Sequence, residues 1–151
     1  RKPGPNCEVV IAYQGAVAPE AIAAAGMIGE YRRDIGVLAV TSADRLNAGW
    51  TAAQRERAGG NEQAISHIEE LLSELPRGCS LVTVIDGHPA TLSWLGAVAG
   101  HKTVPHGVEH FGQTGTIKDL YQHFRIDRHS IQESISALTV GPLVRGNNNL
   151  S

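Results

Sequence analysis

Four short apolar runs rich in β-branched residues punctuate the chain, separated by amphipathic or alanine-rich stretches. The clearest lies within Ser80–Gly100. There Leu81, Val82, Val84 and Ile85 form a run of the kind buried on both faces of a parallel sheet. Asp86-Gly87-His88-Pro89 breaks it: Gly87 has conformational freedom that other residues lack, and Pro89 suits the first turn of a helix. From Thr91 to Val98 apolar residues return at helical spacing, as Leu92, Trp94, Leu95 and Val98, and Gly100 closes the helix. The same reading gives strands over Glu8–Tyr13, Gly36–Ser42 and Thr103–Val108, the last with a proline that a sheet edge tolerates. It predicts an alanine-rich helix from Pro19-Glu20 to about Tyr31, able to lie close on a sheet. A polar segment runs from Ala43 to Arg57, anchored by Leu46 and Trp50, with Ser42 or Asp44 as its cap. A further helix spans Glu62–Leu75, capped by Asn61, with Ile65, Ile68, Leu71, Leu72 and Leu75 on one face. Helices over Ile117–Phe124 and Arg128–Leu138 complete the chain.

Strands alternating with helices predict an α/β fold, a three-layer α/β/α domain with a mainly parallel sheet of four to five strands. Residues 1–6 read as a truncated linker, 7–139 as the domain and 140–151 as a flexible tail. The opening Arg1-Lys2-Pro3-Gly4-Pro5, without a methionine, suggests a cut within a longer polypeptide.

Composition narrows the function more by exclusion than by pointing. A chain of 151 residues with 42% hydrophobic positions can bury one core. A net charge of −2 gives no case for a nucleic-acid surface, and no apolar run approaches a membrane span of roughly 20 residues. Cys7 and Cys79 each begin an apolar strand, which predicts buried thiols in a reducing, cytoplasmic setting rather than a disulfide.

Ligands of open parallel sheets gather at the carboxyl ends of the strands, where Asp86 and His88 stand. The pair could work as acid and base, but no serine or cysteine completes a nucleophilic arrangement, and capping or tying down the turn is the simpler role for Asp86. Gly107–Thr114 is one residue short of a phosphate-binding loop, yet Gln113 replaces its lysine and Glu109 adds negative charge. His88, His101, His106 and His110 cluster in sequence without convincing metal-ligand spacing. No catalytic, cofactor-binding or metal-ligating residue is therefore expected in this chain.

Three segments taken together carry a resemblance: V-T-S-A-D-R-L (Val40–Leu46) with Trp50, V-T-V-I-D-G-H-P-A-T-L (Val82–Leu92), and G-V-E-H-F-G-Q-T-G-T-I-K-D-L-Y (Gly107–Tyr121) followed by Ile126-Asp127. In this order and spacing they resemble the C-terminal domain of the transketolase-like family. The nearest likeness is to the homodimeric thiamine-dependent decarboxylating component of the pyruvate dehydrogenase complex, and it covers roughly Cys7 to Leu138. The resemblance implies a parent enzyme that decarboxylates pyruvate and passes an acetyl group to the lipoyl arm of an acetyltransferase component. It places thiamine diphosphate and magnesium between two preceding domains, held by a Gly-Asp-Gly…Asn motif. Here Asp86-Gly87 follows Ile85 and the Asn147–Asn149 run is far away, so that motif is absent. The implied role is packing and dimerisation of the parent, and the antiparallel strand that usually stands just before the position of Cys7 is expected to be removed by the cut at Arg1. A transketolase proper, or a stand-alone interaction or regulatory module, are the alternatives.

Within that reading, the loops Asp86–Pro89 and His106–Gly115 should converge on one rim of the sheet. They bring Asp86, His88, His106, Glu109, His110, Phe111 and Gln113 together as a candidate interface with the two-fold partner or a neighbouring domain. The competing expectation is that Phe111 folds back into the core.

Overall fold

Strands β1 (Val9–Gln14), β2 (Ile35–Ala39), β3 (Ser80–Ile85) and β4 (Thr103–His106) pair in the order β2-β1-β3-β4, every pair parallel. The structure, a computed structural model, describes residues 3–30 and 34–145, with 140–145 as backbone. Among the described residues, seven α-helices connect and cover the strands: α1 (Ala18–Gly29), α2 (Ala43–Ala58), α3 (His67–Ser73), α4 (Ala90–Ser93), α5 (Leu95–Ala99), α6 (Ile117–His123) and α7 (Arg128–Arg145).

The register explains the layering. Val10, Ala12, Leu81 and Ile85 point to one face, where they meet Ala43 of α2, Ile68 and Leu72 of α3, Leu92 of α4 and Leu95 of α5. Val9, Ile11, Val82 and Val84 point to the other, against Ala21, Ala24 and Ala25 of α1 and Ile131 and Ile135 of α7. The result is the expected three-layer α/β/α arrangement with a four-stranded parallel sheet. Each fully buried Ile, Leu or Val contributes about 1.5–3 kcal/mol. Helices shorter than roughly 12 residues are marginal on their own in water, so this two-sided core is what holds the short α3 to α6.

The chain runs from β1 to β2 on one side and then crosses back, so that β3 and β4 lie on the other. The carboxyl ends of β1 and β3 therefore flank the point where the direction of winding reverses. The sheet's edges are β2 and β4, and Pro105, paired opposite Thr83, blunts the β4 edge. Beside β2 an apolar groove of about 340 Å³ is lined by Pro3, Val37, Leu38, Leu71 and Leu75. The segment before β1 turns at Pro5-Asn6, with the Cys7 N–H donating to Gly4 O at 3.1 Å. Arg1, Lys2, the helix end at Tyr31 and the tail beyond Arg145 lie outside the described residues.

Three helices differ from expectation. The helix expected over Glu62–Leu75 is confined to His67–Ser73, and its cap is Ser66, not Asn61. Ser66-His67-Ile68-Glu69 is a capping-box sequence: Glu69 accepts from the Ser66 backbone N–H at 2.8 Å and from its hydroxyl at 2.7 Å. The preceding stretch is held by Arg57, which donates to Ala64 O at 2.6 Å and to Glu69 at 2.7 Å. Ile65, left outside the helix, is exposed, and only Ile68 and Leu72 of the predicted face are fully buried. The helix expected over Thr91–Val98 is broken into α4 and α5 at Trp94, although Gly100, at φ 74°, ends it as predicted. The last helix continues past Leu138 to Arg145. Ser42 occupies the N-cap position of α2 without a side-chain bond to it. Trp50 of α2 and Trp94, at the break between α4 and α5, stack with ring centroids 5.5 Å apart. Cys7 and Cys79 are buried and free. No helix among the described residues is long and apolar enough to cross a membrane.

Two glycines on helices test the packing in opposite senses. A Cβ on Gly96 of α5 would collide with the Thr103 hydroxyl of β4, whereas one on the exposed Gly26 of α1 meets nothing within 4 Å. Gly96→Ala is expected to cost about 1–3 kcal/mol. Gly26→Ala is expected to stabilise by about 0.5–1 kcal/mol through helix propensity. Urea unfolding of both variants checks the sign of each.

Candidate functional site

The rim at the carboxyl ends of the strands is built on a turn that only glycine can make easily. Gly15 leaves β1 at φ 86°, and a Cβ there would fall on the Asp86 carboxylate. Asp86 instead accepts the Ala16 backbone N–H at Oδ2, 3.1 Å away. Asp86 was expected to cap the helix after β3 or tie down its own turn; it ties the end of β3 to the turn after β1. The local cap comes from His88, whose Nδ1 accepts the Ala90 N–H at 3.2 Å. On the far side of the same turn, Tyr121 of α6 donates its hydroxyl to Ala16 O at 3.4 Å. The crevice where open parallel sheets take ligands is thus spanned by the protein's own hydrogen bonds.

The two loops meet as the sequence implied. Val108 N–H donates to Gly87 O at 2.8 Å, and a Cβ on Gly107 would lie 2.6 Å from that oxygen and 2.8 Å from Pro89 N. Gly107 is therefore required by close approach of the two backbones. Asp86 and His88 are exposed at this junction, as are Glu109, His110 and Gln113. Phe111 is 95% exposed, which overturns the expectation that it folds back into the core. Ile117, at the start of α6, is 72% exposed. Between the loop and α6 lies a cleft of about 230 Å³, lined by Asp86, Phe111, Gln113, Leu120, Tyr121 and Phe124.

His106 departs from the group. It is 7% exposed, with Nδ1 2.8 Å from Arg125 O and Nε2 2.8 Å from Ser134 Oγ. A carbonyl only accepts, so Nδ1 carries the proton and Nε2 accepts from the serine hydroxyl. Burial holds its pKa below the ordinary histidine value, outweighing the carbonyl and the Asp127 carboxylate, which favour the proton. His106 therefore joins β4 to the α6–α7 region and offers no surface to a partner.

The α6–α7 region has its own anchors, absent from the sequence reading. Asp127 accepts the N–H groups of His129 and Ser130 at 3.0 and 3.2 Å and the Ser130 hydroxyl at 2.6 Å, capping α7. Burial opposes its charge, but these hydrogen bonds outweigh it and hold the carboxyl below its usual range. Arg128 grips Glu20 of α1 through Nε and Nη2 at 3.1 and 2.9 Å, and its guanidinium lowers the Glu20 pKa. Asp127 in S/T/D-type capping position was the available signal; the Glu20 partner, 108 residues away, had none.

The histidines do not assemble. His101 sits at the opposite, amino end of the strands, with Nδ1 2.8 Å from Cys79 O. Among the described residues no group of three His, Cys, Asp or Glu side chains could hold a metal ion. Neither a protein-family model nor a curated protein matches the chain.

A depressed histidine pKa has a defined signature. Above about pH 6.5 His106 is neutral in both folded and unfolded chains; below it the unfolded chain takes the proton first. Stability should therefore fall as pH drops from about 6.5 through the folded-state value, by at most about 1.4 kcal/mol per unit. Losses from Glu20, Glu69 and Asp127, whose pKa values are lowered, begin near their unfolded values of about 4. Unfolding free energies between pH 6.5 and 5 should show the slope in the native chain. His106→Asn should cost about 1–3 kcal/mol at pH 8 and flatten it.

Proposed function

We propose that this chain is the non-catalytic C-terminal domain of a thiamine diphosphate-dependent 2-oxoacid dehydrogenase, with pyruvate the substrate of the parent. The parent is a cytoplasmic homodimer that hands its acetyl group to a lipoyl-bearing acetyltransferase. This domain packs against the two-fold partner or a neighbouring domain through its strand-end rim. The observation that carries the reading is Phe111, held almost fully in solvent on a glycine-flanked loop, with Ile117 at the start of α6 largely uncovered as well. Large apolar side chains presented by a folded loop are what interface cores are made of, and His110, Glu109 and Gln113 supply polar partners around them. The closed crevice between β1 and β3 supports a supporting rather than a chemical role. The residues here do not fit the diphosphate and magnesium: Asp86 is committed to Ala16, Ile85 stands where the motif needs glycine, and no asparagine accompanies them. Those groups belong to the preceding domains of the parent.

Calorimetry of the chain with thiamine diphosphate and magnesium should give no specific heat of binding, and micromolar affinity would sink the assignment. In the full-length parent, Phe111→Ala with His110→Ala should weaken dimerisation, or the activity that depends on it, by about tenfold or more. Sedimentation equilibrium and turnover read that effect. The same pair in this chain alone should move the melting temperature by no more than about 3 °C.

A further inference from the structure

The amino ends of β1 and β3, opposite the rim, hold the chain's two cysteines. Cys7 closes the turn begun by Gly4, and Cys79 closes one begun by Pro76, whose O accepts the Cys79 N–H at 3.0 Å. Both stand just ahead of the strand register, which starts at Val9 opposite Ser80. Residues 72 apart in sequence thus meet: the Cys79 thiol is directed at Cys7 Sγ, 3.7 Å away, with the two residues 1% and 3% exposed. The separation is a non-bonded sulfur contact, and a disulfide needs an approach to about 2.05 Å. Turns hold both residues rather than the central ladder, so rotation about the side chains and a small turn shift can supply it. The two sulfurs are also unequal. The Cys79 S–H bond, aided by backbone N–H groups and opposed by burial, brings the Cys7 pKa down to about 7. Cys79 is pushed up, first by that same bond and then by burial. The covering turn, Gly4-Pro5-Asn6, is exposed and can open locally to admit an oxidant about the size of water.

We propose that Cys7 and Cys79 form a reversible dithiol–disulfide switch, oxidised by hydroperoxides, that staples the segment leading into β1 to the base of β3. The Cys7 thiolate attacks one peroxide oxygen; the O–O bond breaks, hydroxide leaves, and Cys7 becomes the sulfenic acid. The Cys79 sulfur then attacks Cys7 Sγ; the S–S bond forms, the S–O bond breaks, and the oxygen departs as water with the thiol's proton. Two thiols and one hydrogen peroxide become one disulfide and two waters, with two electrons passing to the peroxide. A dithiol reductant returns two electrons and two protons and reopens the pair. The closed loop encloses β1, α1, β2, α2 and α3, so the staple restricts the unfolded chain most.

Hydrogen peroxide treatment of the native chain, followed by denaturation and N-ethylmaleimide, tests this. The expected product is a monomer lighter by two hydrogen atoms, with no maleimide adduct, a peptide cross-link between Cys7 and Cys79, and recovery of both thiols with dithiothreitol. Its melting temperature should rise by at least about 5 °C. Two maleimide adducts after oxidation, sulfinic acid without a cross-link, an intermolecular dimer, or a lowered melting temperature would each overturn the proposal. Cys79→Ser should stop at the sulfenic acid, trapped by dimedone on Cys7. A dimedone adduct formed as readily on Cys79 in Cys7→Ser would overturn the assigned roles.

Discussion

The carboxylate of Asp86 sits where the two halves of the sheet part company, and four segments depend on its staying there. It fixes the turn after β1 by taking the Ala16 N–H, while Ala16 O takes the Tyr121 hydroxyl from α6. Gly87, its neighbour, takes the Val108 N–H and so sets the course of the long loop. Individually these are hydrogen bonds of about 1 kcal/mol, small beside the burial of the sheet's aliphatic side chains. Their importance is geometric. The core decides that the sheet forms; this junction decides what the rim presents.

The strands were legible because a parallel strand covered on both faces needs an unbroken apolar run, and only short runs of that kind occur. Glu8–Tyr13, Gly36–Ser42 and Leu81–Ile85 each lie within a few residues of the strands they announce. Boundaries failed where a specific side chain overruled periodicity. Ile65 keeps helical spacing with Ile68 and Leu72, yet Ser66 and Glu69 start the helix after it and Arg57 holds the preceding backbone away. At the rim, convergence of the loops was readable from topology alone. The partners were not: Asp86 bonds across 70 residues, and His106 turns inward because a serine on α7 and a carbonyl after α6 receive it. Such pairings depend on tertiary distance, to which local spacing is blind.

The rim and the base of the sheet carry different kinds of order. At the rim, polar side chains are tied to backbone and leave Phe111 and Ile117 outside. At the base, Cys7, Cys79 and His101 are enclosed, and their polar contacts are buried. The two ends of the same strands thus differ in kind: one presents large apolar side chains to solvent, and the other encloses its polar groups.

The stacked pair Trp50 and Trp94 makes the chain's spectroscopy unusually local. These are its only tryptophans, and they face each other between α2 and the α4–α5 break on a single side of the sheet. Intrinsic emission and near-ultraviolet dichroism therefore report the separation of α2 from that break. Events on the α1 and α7 side pass unseen unless they travel through the sheet. A loss of backbone helicity that precedes the change in emission would mark that far side as the first to loosen.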